Sequence, residues 1–229
     1  MQRLRVVFSR GEETKYITHL DVMRLWERAL RRAGMPLAYS EGFNPHARLA
    51  LAAPLAVGVT SEAELLDVFL TGRVSPYAFL TRIGEHLPPG IAVSSAVDTP
   101  LPAPSLQSQL RFIEYRVEAA TERPASEIAQ AIRRFLALRE LPWEHARDTG
   151  PRKYDLRALV DELRPEGHAA GRCVLIMRLR ADSGGSGRPE QVTLALGFDE
   201  TPLSVHRTRV VLAEPGPAEQ LRRPPRDLG

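Results

Sequence analysis

YITHLDVMRLWERALRRAGMPLAYSEGFNPHAR, residues 16–48, is the stretch whose reading decides the first half of the fold. Apolar residues recur at Leu20, Met23, Leu25, Trp26, Ala29, Leu30 and Ala33, the spacing of one helix face. Thr18 (or His19) stands at the N-cap, and Asp21 falls in the first turn, where a carboxylate favours the positive helix end. Gly34 is placed to close the helix, with Pro36 just beyond. Residues 37–39 read as a short strand, and Ser-Glu-Gly-Phe-Asn-Pro-His at 40–46 is turn chemistry throughout.

Upstream, residues 4–9 form a strand rich in Val and Phe, with Gly11 in the turn after it. Downstream, 48–52 and 64–70 are extended. Ser75 caps a second helix with Pro76 at its first position and Phe79, Leu80, Ile83 and Leu87 on its apolar face. Pro88-Pro89-Gly90 stops that helix, and 91–96 is a strand. The order strand, helix, strand, strand, helix, strand is the split βαβ, or ferredoxin-like, arrangement: an antiparallel sheet with both helices on one face.

Residues 99–110, with Pro100, Pro102 and Pro104, read as a linker between a first domain (1–98) and a second (111–213). Past it the pattern repeats more loosely. Residues 112–119 form a strand, 124–138 a helix and 143–147 a short extended piece. Residues 153–163 fit either a strand entering a helix or a helix alone. A strand at 172–180, a short helix at 188–196 and a strand at 204–212 complete a second ferredoxin-like unit. The fold class expected is therefore α+β, with tandem ferredoxin-like units. The prolines and charges of 214–229 read as a disordered tail.

The 229 residues are 43% hydrophobic and 26% charged, ordinary for a chain that buries a core. The longest apolar run, 49–59, is broken by Pro54 and Gly58 and is too short to span a bilayer. The first residues turn charged where a signal peptide needs an apolar core, so a cytoplasmic location is expected. A single cysteine, Cys173, excludes an internal disulfide and any self-contained iron–sulfur or multi-cysteine zinc site. Its alternating apolar surroundings mark it as a buried, inert thiol. The net charge of +3 is weakly basic and spread along the chain. Lysine occurs only at Lys15 and Lys153, so the other cations are arginines, whose forked guanidinium suits anions.

The segment THLDVMRLWERALRRAGMPLAYSEGFNPHARLALAAPLAVGVTSEAELLDV, residues 18–68, closely resembles the radical-SAM-linked protein family of bacteria. The resemblance is strongest over 3–71 and continues loosely to about 210. The family form has serine where this chain has Thr18, which keeps the hydroxyl. The resemblance implies a stand-alone partner of a radical SAM enzyme, in a gene setting that points to RNA or ribosome modification. S-adenosylmethionine and an iron–sulfur cluster would then sit on the partner, with no cofactor bound by this chain. The fold pattern is also similar to that of endoribonucleases that process CRISPR repeats, an analogy of fold alone.

Two chemistries compete for the opening stretch. His19 and Asp21 are a capping pair or part of a site. If the helix start meets the 40–46 loop, His19 and His46 could act as acid and base in metal-independent RNA cleavage. With Asp21 they could instead form a two-histidine, one-carboxylate metal site. No HxxxH, HExxH or CxxC spacing supports either. In the binding alternative, Tyr16, Thr18, Ser40, Gly42 and Asn44 line an interface. Tyr39 and Phe43 stack on bases, while Arg24, Arg28, Arg31 and Arg48 meet phosphates; the bland counterpart has Phe43 plugging the core and the arginines solvated. Arg152, Lys153, Tyr154 and Arg157 are the best basic-aromatic cluster of the second half, either extending an RNA groove or wetting a surface strand. The glycines at 184–187 lack a Walker lysine and read as a hairpin connection. The reading favoured is a non-catalytic, RNA- or substrate-binding partner of a radical SAM enzyme, ahead of an endoribonuclease or a purely protein-binding adaptor.

Overall fold

A computed structural model describes residues 1–145, 150–169 and 171–213. The first unit comprises β1 (Gln2–Arg10), α1 (His19–Arg32), β2 (Leu49–Leu51), β3 (Thr60–Leu70), α2 (Pro76–Gly84) and β4 (Ile91–Thr99). β1 lies between β3 and β4, and β2 pairs with β3, every pairing antiparallel. That order, 2-3-1-4, is the ferredoxin-like sheet expected from the sequence. Leu4, Val6 and Phe8 of β1 pack with Val22, Trp26, Ala29 and Leu30 of α1 and with Phe79 and Ile83 of α2, so both helices share one face. Phe8 meets Trp26 edge to face, ring centroids 5.0 Å apart. The caps form as read: Thr18 and Ser75 accept from the amides of Asp21 and Ala78.

A short α3 (Leu106–Gln109) leads into the second unit. There follow β5 (Leu110–Ala120), α4 (Ala125–Ala137), β6 (Pro142–His145), β7 (Arg152–Asp155), β8 (Val160–Ala169), β9 (Arg172–Asp182), β10 (Gly185–Ser186), α5 (Pro189–Ala195) and β11 (Ser204–Leu212). β8, β9, β5 and β11 lie in that order and pair antiparallel, the 2-3-1-4 pattern again. Inward residues of β5 (Ile113, Tyr115, Val117, Ala119) and β9 (Cys173, Leu175, Met177, Leu179) pack with Ile128, Ile132 and Phe135 of α4 and Val192 of α5. The short extended piece read at 143–147 is strand over its described residues, as β6; among the described residues it pairs with β7, as a hairpin inserted between α4 and β8. The ambiguous 153–163 is strand, then a tight turn over Arg157–Leu159, then the start of β8. The tail expected to be disordered, 214–229, lies outside the described residues.

The halves share one sheet because β11 pairs in parallel with β3, His206 opposite Thr60 and Arg207 opposite Ser61. β2 occupies the same edge of β3 farther along, opposite 66–68, so the sheet forks between β11 and β2. α3 packs at that fork, with Leu106 fully buried. Arg3 donates to the carbonyls of Ala103 and Pro104, and Gln107 to that of Leu51, so the connection is fastened to the first sheet.

Candidate nucleic-acid interface

The Gly-Phe-Asn-Pro-His turn is extruded from the edge strand. Leu37 bridges to Leu70 and Leu49 pairs with Val68. At Phe69 the ladder is split between two residues: Ala38 donates to the Phe69 carbonyl (2.9 Å), and the Phe69 amide donates to the Arg48 carbonyl (3.1 Å). The Arg48 amide closes the neck on the Ala38 carbonyl (2.8 Å), and Tyr39 bridges to Ala47. Above that neck the Ser40 amide donates to the His46 carbonyl (2.8 Å), while the His46 amide donates to the Ser40 hydroxyl (3.0 Å). Gly42, at φ +119, turns the tip without a Cβ penalty.

All of 40–46 is exposed, and Phe43 is fully so. Phe43 therefore plugs no core. Tyr39, opposite Ala47 at the neck, is 41% exposed. Arg48 lies 4.7 Å from the centroid of the Phe69 ring, so its guanidinium is anchored at the root of the hairpin.

The helix start lies elsewhere. Arg10, opposite Ser61, donates to the carbonyls of Thr14 and Ile17, and Gly58 donates to that of Lys15. This fastens the approach to α1 at the Ser61 end of β3, whereas the hairpin leaves at Phe69. At ~3.3 Å per residue, about 26 Å of strand separates the two. His19 and His46 thus belong to opposite ends of the sheet, and the acid–base pairing considered for them is not assembled. Among the described residues no three His, Cys, Asp or Glu side chains are grouped to hold a metal ion.

Thr18 and Asp21 form a reciprocal cap instead. The Asp21 amide donates to the Thr18 hydroxyl (3.3 Å), which donates to the Asp21 carboxylate (2.6 Å). That hydrogen bond, aided by Arg24 and Arg28, holds the Asp21 pKa below the ordinary carboxylate value. Arg24 is paired with Asp21 at 3.6 Å. Tyr16 is exposed, with the Lys15 ammonium 5.1 Å from its ring centroid.

The later arginines of α1 are free of such partners. Arg28, Arg31 and Arg32 are exposed, and their side chains make no hydrogen bond or close ion pair among the described residues. They lie on the half of α1 that runs toward the hairpin's end of the sheet. Arg28 and Arg32 flank a groove of about 400 Å³ between α1 and the end of α2, together with Leu25, Ala29, Glu85, His86, Leu87 and Pro88. The sequence reading missed Arg32, Glu85 and His86 there. The four-residue spacing of Arg28 and Arg32 was visible, but nothing local in the sequence brings 85–88 against them.

In the second half the basic-aromatic cluster divides. Arg157 donates to the carbonyls of Leu136 (3.3 Å) and Val160 (2.7 Å), fastening α4 to β8. The Tyr154 hydroxyl donates to Gln191 (2.5 Å), and Tyr154 is paired with Trp143 in the β6–β7 ladder. Arg152 and Lys153 remain exposed, Lys153 3.6 Å from Glu144.

No curated protein sequence matches the chain. Solved structures match it at low identity. A chain in the crystal structure of a Cbf5–Nop10–Gar1 complex matches with a TM-score of 0.50 and 13% identity, over 91% of this chain and 48% of that one. A chain of an H/ACA RNP bound to a substrate RNA containing 2′-deoxyuridine matches with a TM-score of 0.46 and 13% identity, over 89% and 47%. One from an archaeal box H/ACA sRNP Nop10–Cbf5 complex gives 0.46 and 13%, over 92% and 48%. The chain thus spans about half the length of the solved chains it matches, and the first of these likenesses speaks for the fold alone. The model of one sequence family fits residues 3–189, and on that span the chain belongs to the family described as an uncharacterized protein conserved in bacteria, DUF2344.

Proposed function

We propose that this protein is a non-catalytic RNA-binding module that serves a separate radical SAM enzyme in tRNA or rRNA modification. One observation carries the reading: a hairpin extruded from the sheet edge holds Phe43 wholly in solvent, with Tyr39 exposed at its neck. Burying a phenylalanine is worth about 1.5–3 kcal/mol, and the fold leaves that gain unused. An exposed ring on a braced hairpin suits stacking against an unpaired base. The unpaired Arg28, Arg31 and Arg32 toward the same end of the sheet supply charge for phosphates. The enzyme partner rests on the sequence resemblance and on the single cysteine, which cannot ligate a cluster.

The test is binding of purified protein to labelled bulk tRNA and rRNA over a salt series. Expected are salt-sensitive binding without cleavage and a weakening of about tenfold in Phe43→Ala, since stacking contributes ~1–3 kcal/mol per base. Absence of RNA binding at low salt, or full affinity in Phe43→Ala, overturns the RNA reading. Failure of the RNA-binding protein to form a stoichiometric complex with a co-expressed radical SAM enzyme overturns the partnership.

A further inference from the structure

We infer that the groove between α1 and the end of α2 is a phosphate-binding subsite formed by Arg28 and Arg32. The two guanidiniums stand one turn apart on α1, at the rim of a concavity of about 400 Å³. Like charges four residues apart work against a helix, and no carboxylate lies within 4 Å of either among the described residues. Arg24, on the same helix, has Asp21. Arg28 acts on Asp21 only at longer range, so the pair leaves both forks without a bonded partner where they can converge on one tetrahedral anion. Leu25, Ala29, Leu87 and Pro88 give the groove an apolar wall, against which a ribose or base edge can rest while the phosphate is held at the rim. The volume falls in the range of small-ligand sites.

Glu85 also lines the groove and opposes an anion, leaving two guanidiniums against one carboxylate. His86 is half-buried beside it and gives the site a local reporter. The ligand class is a phosphate group on an RNA strand, either an internal phosphodiester or a terminal phosphomonoester. As a contact to RNA the subsite rests on the proposed RNA reading. As an anion site it stands on the groove alone.

The experiment is an NMR titration of the full chain with inorganic phosphate at constant ionic strength, chloride replacing phosphate in the control. The His86 ring and the Arg28 and Arg32 Nε–H resonances are followed. Expected are saturable shifts in the millimolar range, weakened at least tenfold in Arg28→Gln/Arg32→Gln and strengthened several-fold in Glu85→Gln. Both variants change exposed side chains, and their unchanged amide spectra elsewhere verify the fold. A short RNA bearing a 5′-hydroxyl, compared with its 5′-phosphorylated form, separates the sources. Equal shifts assign an internal phosphodiester, and shifts with the phosphorylated form alone assign the terminal group. Unmoved resonances in tens of millimolar phosphate, or shifts that survive in the double variant, overturn the subsite. If tRNA binding then persists and still depends on Phe43, the RNA reading stands without the groove. Phosphate binding in a protein that binds no RNA leaves the reverse.

Discussion

Arg207, on the last strand of the second unit, donates to both carboxylate oxygens of Glu64, on β3 of the first, at 2.9 and 3.1 Å. Each side chain is only 3% exposed, and Arg207 also holds the Pro54 carbonyl at 3.0 Å. A third charge is near: burial lowers the Arg10 pKa while Glu64 raises it. Removing Glu64 therefore leaves two buried cations without their counter-ion. Glu64→Ala is expected to cost about 3–5 kcal/mol in urea unfolding, because a broken buried pair leaves an uncompensated charge. The paired change Glu64→Leu with Arg207→Met is expected to recover much of that loss. A Glu64→Ala midpoint within 0.5 kcal/mol of the native protein, the level of a neutral surface change, contradicts the account.

Gly34 sits just beyond α1 at φ +62, and a Cβ built there would stand 2.9 Å from Nη2 of Arg82. That guanidinium caps the helix by donating to the carbonyls of Ala33 (2.6 Å) and Gly34 (2.9 Å). Gly34→Ala thus combines a left-handed backbone with displacement of a cap. A loss of about 1–2 kcal/mol in thermal or urea unfolding is expected. Arg82→Ala should cost less, since it removes the cap and leaves the backbone unstrained.

This closing glycine was legible in the sequence because its demand is local, and so were Thr18, Ser75 and Pro76. The 2-3-1-4 order followed from element order once the helices and strands were placed. The fork at β3 was not legible, because the pairing of His206 with Thr60 joins residues far apart in the chain by backbone bonds that no side-chain pattern announces. For the same reason the sequence could set His19 and His46 in one short stretch without revealing that β3 runs between them. Side chains fastened by distant carbonyls, such as Arg157 on Leu136, carry no local mark either. Phe43 was ambiguous for a different reason: turn formers around a ring suit a plugged core and an exposed tip equally.

Alkali offers a test of the second core. Tyr115 and Cys173 are buried, and burial raises both pKa values above their ordinary ones. Each is neutral when protonated, so the native state keeps protons that the unfolded chain releases first. Their contribution is complete below the unfolded values, about 8.5 for the thiol and 10 for the phenol, and is lost as pH rises through the higher folded values. The urea midpoint should fall from about pH 8.5 upward. In Cys173→Ala the fall should begin nearer pH 10. A thiol reagent at pH 8 should label Cys173 only on unfolding.

Asp67 looks at first like a catalytic carboxylate: it is wholly buried in the middle of the sheet with two arginines on it. Its hydrogen bonds argue otherwise. Arg3 donates to it from Nε (3.0 Å) and Nη2 (2.5 Å), and Arg5 from Nε (2.9 Å) and Nη2 (3.1 Å). Both oxygens are engaged, and neither is left for a substrate. Arg3 extends the cluster to the Ala103 and Pro104 carbonyls, and Arg5 to the Gln109 side chain (3.2 Å), so the carboxylate orients two guanidiniums that fasten α3 at the fork. Asp67→Asn keeps the shape but loses the charge that holds both forks. It should destabilise by about 3–5 kcal/mol. Hydrogen-exchange protection over 103–109 should fall more than over β5, where the ladder to β9 is independent of Asp67. Uniform loss across both segments would instead mean that the connection and the second unit open as one.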